Sequence, residues 1–369
     1  MSVPLLDLRA QYACIKSEID AAIADVFDSQ RFVGGPHVEA LEEEIARYIG
    51  AGHALGVASG TDALLLSLRA ADIGPGDEVI TSPFTFFATP GAIHNAGATP
   101  VFVDIKPDTF NIDPARIEAA VTERTRAIVP VHLFGQCADM EPVLEIAARH
   151  DLLVIEDAAQ SLAARYQDRM AGTLGQMAAT SFFPSKNLGG AGDGGMITTN
   201  DPDMAHRIRL QRNHGQGDTY VHHIVGTNSR LDAIQAAVVR VKLRHLDAWT
   251  QQRRRNAAYY TERLAGLPDV VPPVEHAGCC HVYNQYTIRV PRRDEVLAGL
   301  RQRGIGCAVY YPLPLHLQAC FAHLGYEEGA FPEAERASRE VLSVPVYPEL
   351  SREQQDEVID ALAGCLSTP

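Results

Sequence analysis

The chain has 369 residues, of which 46% are hydrophobic, 21% charged and 7% aromatic. At roughly 150 residues per domain that is room for two domains, or one large and one small, and it excludes a disordered or collagen-like chain. With 32 Lys and Arg against 46 Asp and Glu the formal net charge is −14, which argues against general nucleic-acid binding and requires a local basic or hydrogen-bonding site for any anionic substrate.

The first residues, Met1 to Asp7, contain no basic segment leading into an apolar one, so no signal peptide is expected. Ile15, Ile19, Ile23 and Val26-Phe27 recur at helical spacing, and Val38, Leu41, Ile45 and Tyr48-Ile49 repeat the pattern after Gly34-Gly35-Pro36. A short strand at 54–57 runs into Ser59-Gly60-Thr61-Asp62 and a helix through Leu64, Leu65 and Leu68. Gly74-Pro75-Gly76-Asp77 is a turn, and 78–81 the next strand. Apolar runs at 100–105, 127–131 and 152–155 are further strands, separated by helical patterns at 89–96, 114–121 and 141–150. Such alternation predicts βαβ crossovers and an α/β fold whose mainly parallel sheet is buried on both faces.

After Asn228-Ser229-Arg230-Leu231-Asp232 the texture changes. A long helical pattern begins at Ile234 and runs through Trp249 to Arg253-Arg254-Arg255, a run that reads as a solvated helix face. Beyond about residue 265 come a turn, an alternating strand at 282–290, a helix at 294–303, a strand and a terminal helix. The expected division is a large α/β domain over 1–250 and a small C-terminal α+β domain over 251–369. No stretch approaches the ~20 uninterrupted apolar residues of a membrane span. The seven cysteines are odd in number and scattered, which fits a reduced cytoplasm better than a disulfide framework. Cys279-Cys280-His281 has no C-x-x-C partner and its adjacent side chains splay apart, so no metal site is expected.

Four segments bear on chemistry. Gly190-Ala191-Gly192-Asp193-Gly194-Gly195 matches G-x-G-x-x-G in letters, but a strand-like run follows it where the dinucleotide fingerprint requires a helix. Ser59 to Asp62 joins a strand to a helix, so its amides can cradle a phosphate; a plain N-cap explains the segment equally well. Asp157 ends a parallel strand, where α/β sheets bind ligands, although a helix-capping carboxylate also fits. Lys186, in Ser181-Phe182-Phe183-Pro184-Ser185-Lys186-Asn187, follows apolar residues in a glycine-rich stretch. Most lysines are surface charges, but a desolvated one is a nucleophilic amine. A phosphate cradle, a strand-end carboxylate and a buried amine together are what pyridoxal 5'-phosphate requires.

In these motifs, with Glu156-Asp157-Ala158-Ala159-Gln160-Ser161, Asn228-Ser229-Arg230-Leu231-Asp232 and Tyr311-Pro312-Leu313-Pro314-Leu315-His316, the chain resembles the DegT/DnrJ/EryC1/StrS family of pyridoxal-phosphate sugar aminotransferases over nearly its whole length. The resemblance implies the aspartate-aminotransferase-like fold (type I), with Lys186 as the Schiff-base lysine and Asp157 against the pyridinium nitrogen. Gln160 would lie near the ring's phenolic oxygen, Gly60, Thr61 and Ser181 would hold the phosphate, and Phe86 would stack on the ring. Asn228 would reach the phosphate in the neighbouring subunit, which makes the active unit a homodimer. Arg230, Tyr310 and His316 are candidates for the anionic parts of the substrate. His132 is either near the site or a packed, hydrogen-bonded histidine. Thr227 stands where the family often has a bulkier residue.

The implied reaction moves an amino group from an amino acid, glutamate first among candidates, to a keto sugar carried on UDP or dTDP, for surface polysaccharide or antibiotic sugars. A keto-sugar dehydratase on the same fold is the first rival, and such relatives typically carry His where Lys186 stands. A non-catalytic cofactor-binding regulator is a second, and it should carry a DNA-binding appendage. An enzyme acting on free amino acids, such as a decarboxylase, is a third.

Overall fold

The computed structural model describes residues 2–267 and 269–367. Its centre is a seven-stranded sheet made of β1 His53–Val57, β2 Glu78–Thr81, β3 Thr99–Phe102, β4 Thr125–Ile128, β5 Leu153–Asp157, β6 Met177–Ser181 and β7 Gly195–Thr199. In space the strands run β1-β7-β6-β5-β4-β2-β3. Strand β7 is antiparallel to both neighbours, and every other pair is parallel.

Alternation along each strand builds two cores. Ala54, Ile80, Ile128, Val154 and Met196 enter one cluster, while their chain neighbours Leu55, Val79, Ala127, Ile155 and Ile197 enter another. Side chains of successive strand residues point to opposite faces, so a strand apolar at every position must be covered on both. Ahead of β1 lie α1 (Leu8–Ser29) and α2 (Pro36–Ile49). Helices α3 (Gly60–Ala70), α4 (Ala88–Asn95), α5 (Met140–Arg149), α6 (Pro202–Gln211) and α7 (Ala233–Leu243) follow along the chain. Val38, Leu41 and Ile45 of α2 join Val143 of α5 and Val239 of α7 over the first face. Leu64 and Leu68 of α3, Ile93 of α4 and Ile208 of α6 cover the second.

A separate core gathers Ala257, Tyr260, Leu264, Val296, Leu300, Leu342, Val358 and Leu362. It is built from α8 (Leu246–Leu264), α9 (Arg293–Gln302), α11 (Arg352–Leu366) and the antiparallel pair β8 (Tyr286–Arg289) and β9 (Val341–Val344), whereas Ala334 and Ala337 of α10 (Pro332–Glu340) join an aromatic cluster with Phe84, Phe102 and Phe331. Val3 joins this core and bridges Ile305. Helix α8 spans both bodies, with Leu246 in the sheet core and Ala257 to Leu264 in the second. We propose that the boundary between the two units falls within this helix.

Two expectations are corrected. The helical pattern at 114–121 forms only the 3-10 turns Pro114–Arg116 and Glu118–Ala120. Asp113 caps the first, and a segment this short cannot nucleate a stable α-helix. The run at 253–255 is not a uniformly solvated face: Arg255 is exposed, Arg254 pairs with Glu275 at 3.0 Å, and Arg253 is 4% exposed. Among the described residues no helix is long and apolar enough to cross a membrane.

Candidate active site

The carboxyl ends of β1, β2, β5 and β6 and the start of antiparallel β7 lie along one sheet edge. Open α/β sheets bind ligands at that edge. Following β1, Ser59 caps α3, its hydroxyl accepting from the Asp62 amide at 3.0 Å. The first amides of α3 are left without intrahelical partners, as at any helix start. Gly60 is required here, because a Cβ on it would come within 2.7 Å of Ser181 Cβ at the end of β6. Cradle and strand end are therefore in direct contact. Ser229 fastens the second wall, donating from its hydroxyl to Asp62 Oδ2 at 2.8 Å.

Asp157 ends β5 and is 5% exposed. Its Oδ2 accepts from Thr89 Oγ1 at 2.7 Å and its Oδ1 from the Ala159 amide at 3.2 Å. Thr89, on the first turn of α4, was not legible as a site residue, although a hydroxyl beside a strand end is a signal the sheet rule could have supplied. Lys186 follows β6 and is half-buried. Burial pulls its amine down from 10.5 to about 8, against the opposing pull of the Asp157 charge. Such an amine exists partly as the free base near neutral pH, which a nucleophile or proton carrier needs.

Gln160 is held at both ends of its amide: Oε1 accepts from the Phe134 amide at 2.7 Å, and Nε2 donates to the Tyr311 hydroxyl at 3.1 Å. Burial pushes the Tyr311 phenol up, so it stays protonated. Phe86 lies 6.4 Å from the Tyr311 ring, centroid to centroid, and is 58% exposed. An aromatic face is thus open at the edge that carries Asp157.

Beneath this edge His132 and Glu156 are fully buried. His132 Nδ1 accepts from the Ala138 amide at 3.1 Å, which puts the ring proton on Nε2, 2.9 Å from Glu156 Oε2. Glu156 also accepts from the amides of Gly172, Leu174 and Gly175 at 2.7–2.8 Å. His132 is thus a packed, hydrogen-bonded histidine. Its amide donates to the Asp157 carbonyl at 3.0 Å, so it braces the strand end from below. Glu156→Ala should cost about 3–5 kcal/mol in urea unfolding, because it strands three amides and an imidazole in the core.

The remaining predicted residues divide. Asn228 is exposed and makes no side-chain hydrogen bond among the described residues, while its backbone bridges Asn213. Arg230 donates to Asn213 Oδ1 at 2.7 Å. Tyr310 is half-buried and lines a cleft with Ser185. His316 is 1% exposed, paired with Glu335 at 3.1 Å and packed edge-on against Phe331. Burial holds its imidazole below the usual range, against the opposing pull of Glu335.

The model of the DegT/DnrJ/EryC1/StrS aminotransferase family matches residues 13–363. The chain belongs to this family. It is 56% identical over 98% of its length to a pleiotropic regulatory protein of Geobacillus stearothermophilus, of which 98% is covered. Identity is 48%, covering 98% of this chain and 95% of the relative, to dTDP-3-amino-3,4,6-trideoxy-alpha-D-glucose transaminase of Streptomyces venezuelae. It is 47%, covering 96% and 95%, to a UDP-N-acetyl-3-dehydro-alpha-D-glucosamine 3-aminotransferase of Acidithiobacillus ferrooxidans. Among solved structures, S. venezuelae DesV in complex with a ketimine intermediate superposes with a TM-score of 0.97 at 47% identity, covering 100% of this chain and 99% of DesV. The Bacillus subtilis protein NtdA, solved with bound cofactor PMP, superposes with a TM-score of 0.91 at 31% identity, covering 99% and 83%. The α/β fold expected from the family is the one observed.

Proposed function

We propose that the protein is a pyridoxal-phosphate-dependent aminotransferase that moves an amino group from an amino acid, glutamate in the first instance, to a keto sugar carried on dTDP or UDP. The observation that carries this reading is the convergence on one sheet edge of Lys186 after β6, the buried Asp157 at the end of β5 and the Ser59-capped start of α3. The residues present fit the cofactor: a glycine-lined cradle for a dianionic phosphate, a carboxylate for a ring nitrogen, and an amine for an aldehyde. When bound, the cofactor supplies that aldehyde and a protonated ring that accepts the electron pair of a breaking C–H bond.

In this reading Gly60, Thr61 and Ser181 receive the phosphate, and Phe86 covers one ring face. Asp157, oriented by Thr89, keeps a negative charge where the ring nitrogen lies. Gln160 presents an amide that Phe134 and Tyr311 hold in one orientation. Lys186 holds the cofactor and then carries a proton as a free amine. Relatives named for dTDP-sugar and UDP-sugar transamination support the substrate class. One relative is named for regulation, and a cofactor-binding regulator would use the same amine and carboxylate; the two relatives named as aminotransferring enzymes, each covered to 95% of its length, favour catalysis. The amine speaks against a keto-sugar dehydratase. The protein should be tested by loading it with amino groups and offering a panel of nucleotide-linked keto sugars. Return of the starting visible absorbance identifies the acceptor, and no return with any keto sugar overturns the reading.

We also infer that the active unit is a homodimer in which Asn228 serves the partner's phosphate site. The unbonded, exposed side chain of Asn228 and the exposed rings of Phe86 and Phe183 support this reading. Mixing Lys186→Ala chains with a strongly impaired Asn228 variant should then restore about a quarter of the sites, since about half of the dimers are mixed and each has one intact site. Mass-verified subunit exchange without regained activity would overturn the shared site.

A further inference from the structure

Strand β6 leads into β7 through the loop 182–194, and Lys186 lies in its first half. At its base Ser181 pairs with Gly195, and the Phe182 amide donates to the Gly194 carbonyl at 2.8 Å. The Phe182 carbonyl closes a smaller ring inside the loop, accepting from the Gly190 amide at 2.7 Å. Lys186 sits in that ring, its own amide bonded to the Phe183 carbonyl at 2.9 Å. The glycines that imitate a dinucleotide fingerprint serve close approach instead. A Cβ on Gly195 would come within 2.5 Å of the Ser59 carbonyl, and one on the preceding Gly189 within 2.3 Å of the Pro184 carbonyl oxygen. One loop therefore touches the lysine turn at one end and the phosphate cradle at the other.

Helix α7 holds this ring where it closes. Gln235 Oε1 accepts from the Ala191 amide at 2.8 Å, and Lys242 Nζ donates to the Gly189 carbonyl at 2.7 Å. The two side chains are about two helical turns apart, so they leave the same face of α7. They grip the chain on either side of Gly190, whose amide closes the ring. Gly190 and Gly192 leave room for the glutamine: a Cβ on the first would meet its Oε1 at 2.8 Å, and on the second its Nε2 at 2.9 Å. Lys242 is half-buried, and burial lowers its pKa with no carboxylate opposing that pull. A lysine head group ordinarily reaches for water, whereas this one is directed at a main-chain carbonyl of the loop that carries Lys186. Ala191 is exposed, so water would satisfy its amide without Gln235. The bond to Gln235 therefore rescues no buried donor, and what it fixes is the path of the chain.

We propose that Gln235 and Lys242 are positioning residues for Lys186: by clamping both sides of Gly190 they fix the ring that carries the amine relative to Asp157 and the phosphate cradle. The proposal rests on the reading of Lys186 as the amine that holds the cofactor. In that reading one nitrogen has two tasks, holding the cofactor and then carrying a proton, and it must reach different atoms for each. A flexible side chain does this only from a fixed backbone. A displacement of about 1 Å at a reacting group can cost about 10²-fold in rate. Leu188 already buries itself in the sheet core, so the fold does not depend on the two polar contacts. Their removal should show in the chemistry before it shows in stability.

The test compares holoenzymes by the pH at which the bound cofactor's absorbance titrates, and by kcat and KM. Gln235→Met keeps the length of the side chain and removes the acceptor. It should lower kcat about 10- to 100-fold and leave the KM for donor and acceptor within about two-fold of wild type. The absorbance should titrate at a pH displaced by at least about half a unit, because the amine's surroundings change with its position. Gln235→Glu, which restores an oxygen at the same reach, should return kcat to within about three-fold of wild type and the titration to its original pH. Lys242→Met should repeat the pattern of Gln235→Met. A folded Gln235→Met holoenzyme with wild-type kcat, or with an unmoved titration, overturns the proposal and leaves the aminotransferase reading intact. A loss that Gln235→Glu does not repair also overturns it, since general loosening explains that result. Conversely, a displaced titration repaired by Gln235→Glu, in a protein that aminates no keto sugar, keeps the positioning role and sinks the aminotransferase reading. If Gln235→Met does not fold, Lys242→Met is measured in its place. Failure of both to fold would show contacts that serve stability, and the proposal falls.

Discussion

Lys186→Ala should abolish turnover, lowering it at least about 10⁴-fold, or roughly 5.4 kcal/mol of barrier. Two losses combine, the covalent hold on the cofactor and the amine that moves the proton. The variant should still fold and still bind cofactor through the cradle of Gly60, Thr61 and Ser181, because none of those contacts involves Lys186. Borohydride reduction of the wild-type holoenzyme and peptide mapping should label Lys186, and a label on any other lysine would displace the assignment. A stability measurement adds an independent readout. In the cofactor-free protein the amine titrates near 8 when folded against an ordinary value of 10.5. The folded state therefore releases its proton first, and wild-type stability rises as pH climbs from about 8 to 10.5. A neutral Lys186→Met variant avoids the buried ammonium and should melt higher than wild type at pH 7. That gain should shrink across the same window, and a gain independent of pH would show that the amine is not desolvated.

Local patterns carried much of the fold. β1 and β2 lie where the short apolar runs placed them, and the starts of α2 and α3 follow the Gly-Pro turn and the Ser59 cap. What the pattern could not supply was contact between distant segments. Thr89 lies 68 residues from Asp157, and nothing in Ala88-Thr89-Pro90 says which strand end the hydroxyl will meet. Arg253 illustrates the opposite failure. Three arginines in a row read as a wet surface, yet a helix turns each residue about 100° from the last, so one of three can face inward. The motif around His316 likewise fixes the chain's path past Pro83 but not the burial of the ring against Phe331. The cradle and the carboxylate were ambiguous singly. Their meaning came from the sheet edge they share, which strand order determines.

Asp157→Asn should reduce turnover at least about 10²-fold, or about 2.7 kcal/mol, while the cofactor stays bound. The substitution is nearly isosteric, so the backbone contacts of Asp157 with Pro130 at 2.9 Å and His132 at 3.0 Å should persist. What changes is charge: an amide cannot hold a proton on the ring nitrogen as a carboxylate does, and the electron pair of the breaking C–H bond loses its sink. Thr89→Val separates charge from orientation, because it removes the 2.7 Å donor and leaves the carboxylate. It should cost less, about 10-fold, in line with one hydrogen bond to a charged group. It should also let the bound cofactor's absorbance titrate at a shifted pH, which a merely structural change would leave in place. Near-normal turnover in Asp157→Asn would require another carboxylate to take over. Glu156 cannot, because β5 points its side chain to the opposite face, where three backbone amides and His132 already occupy it. The role at the ring nitrogen therefore stands or falls with Asp157.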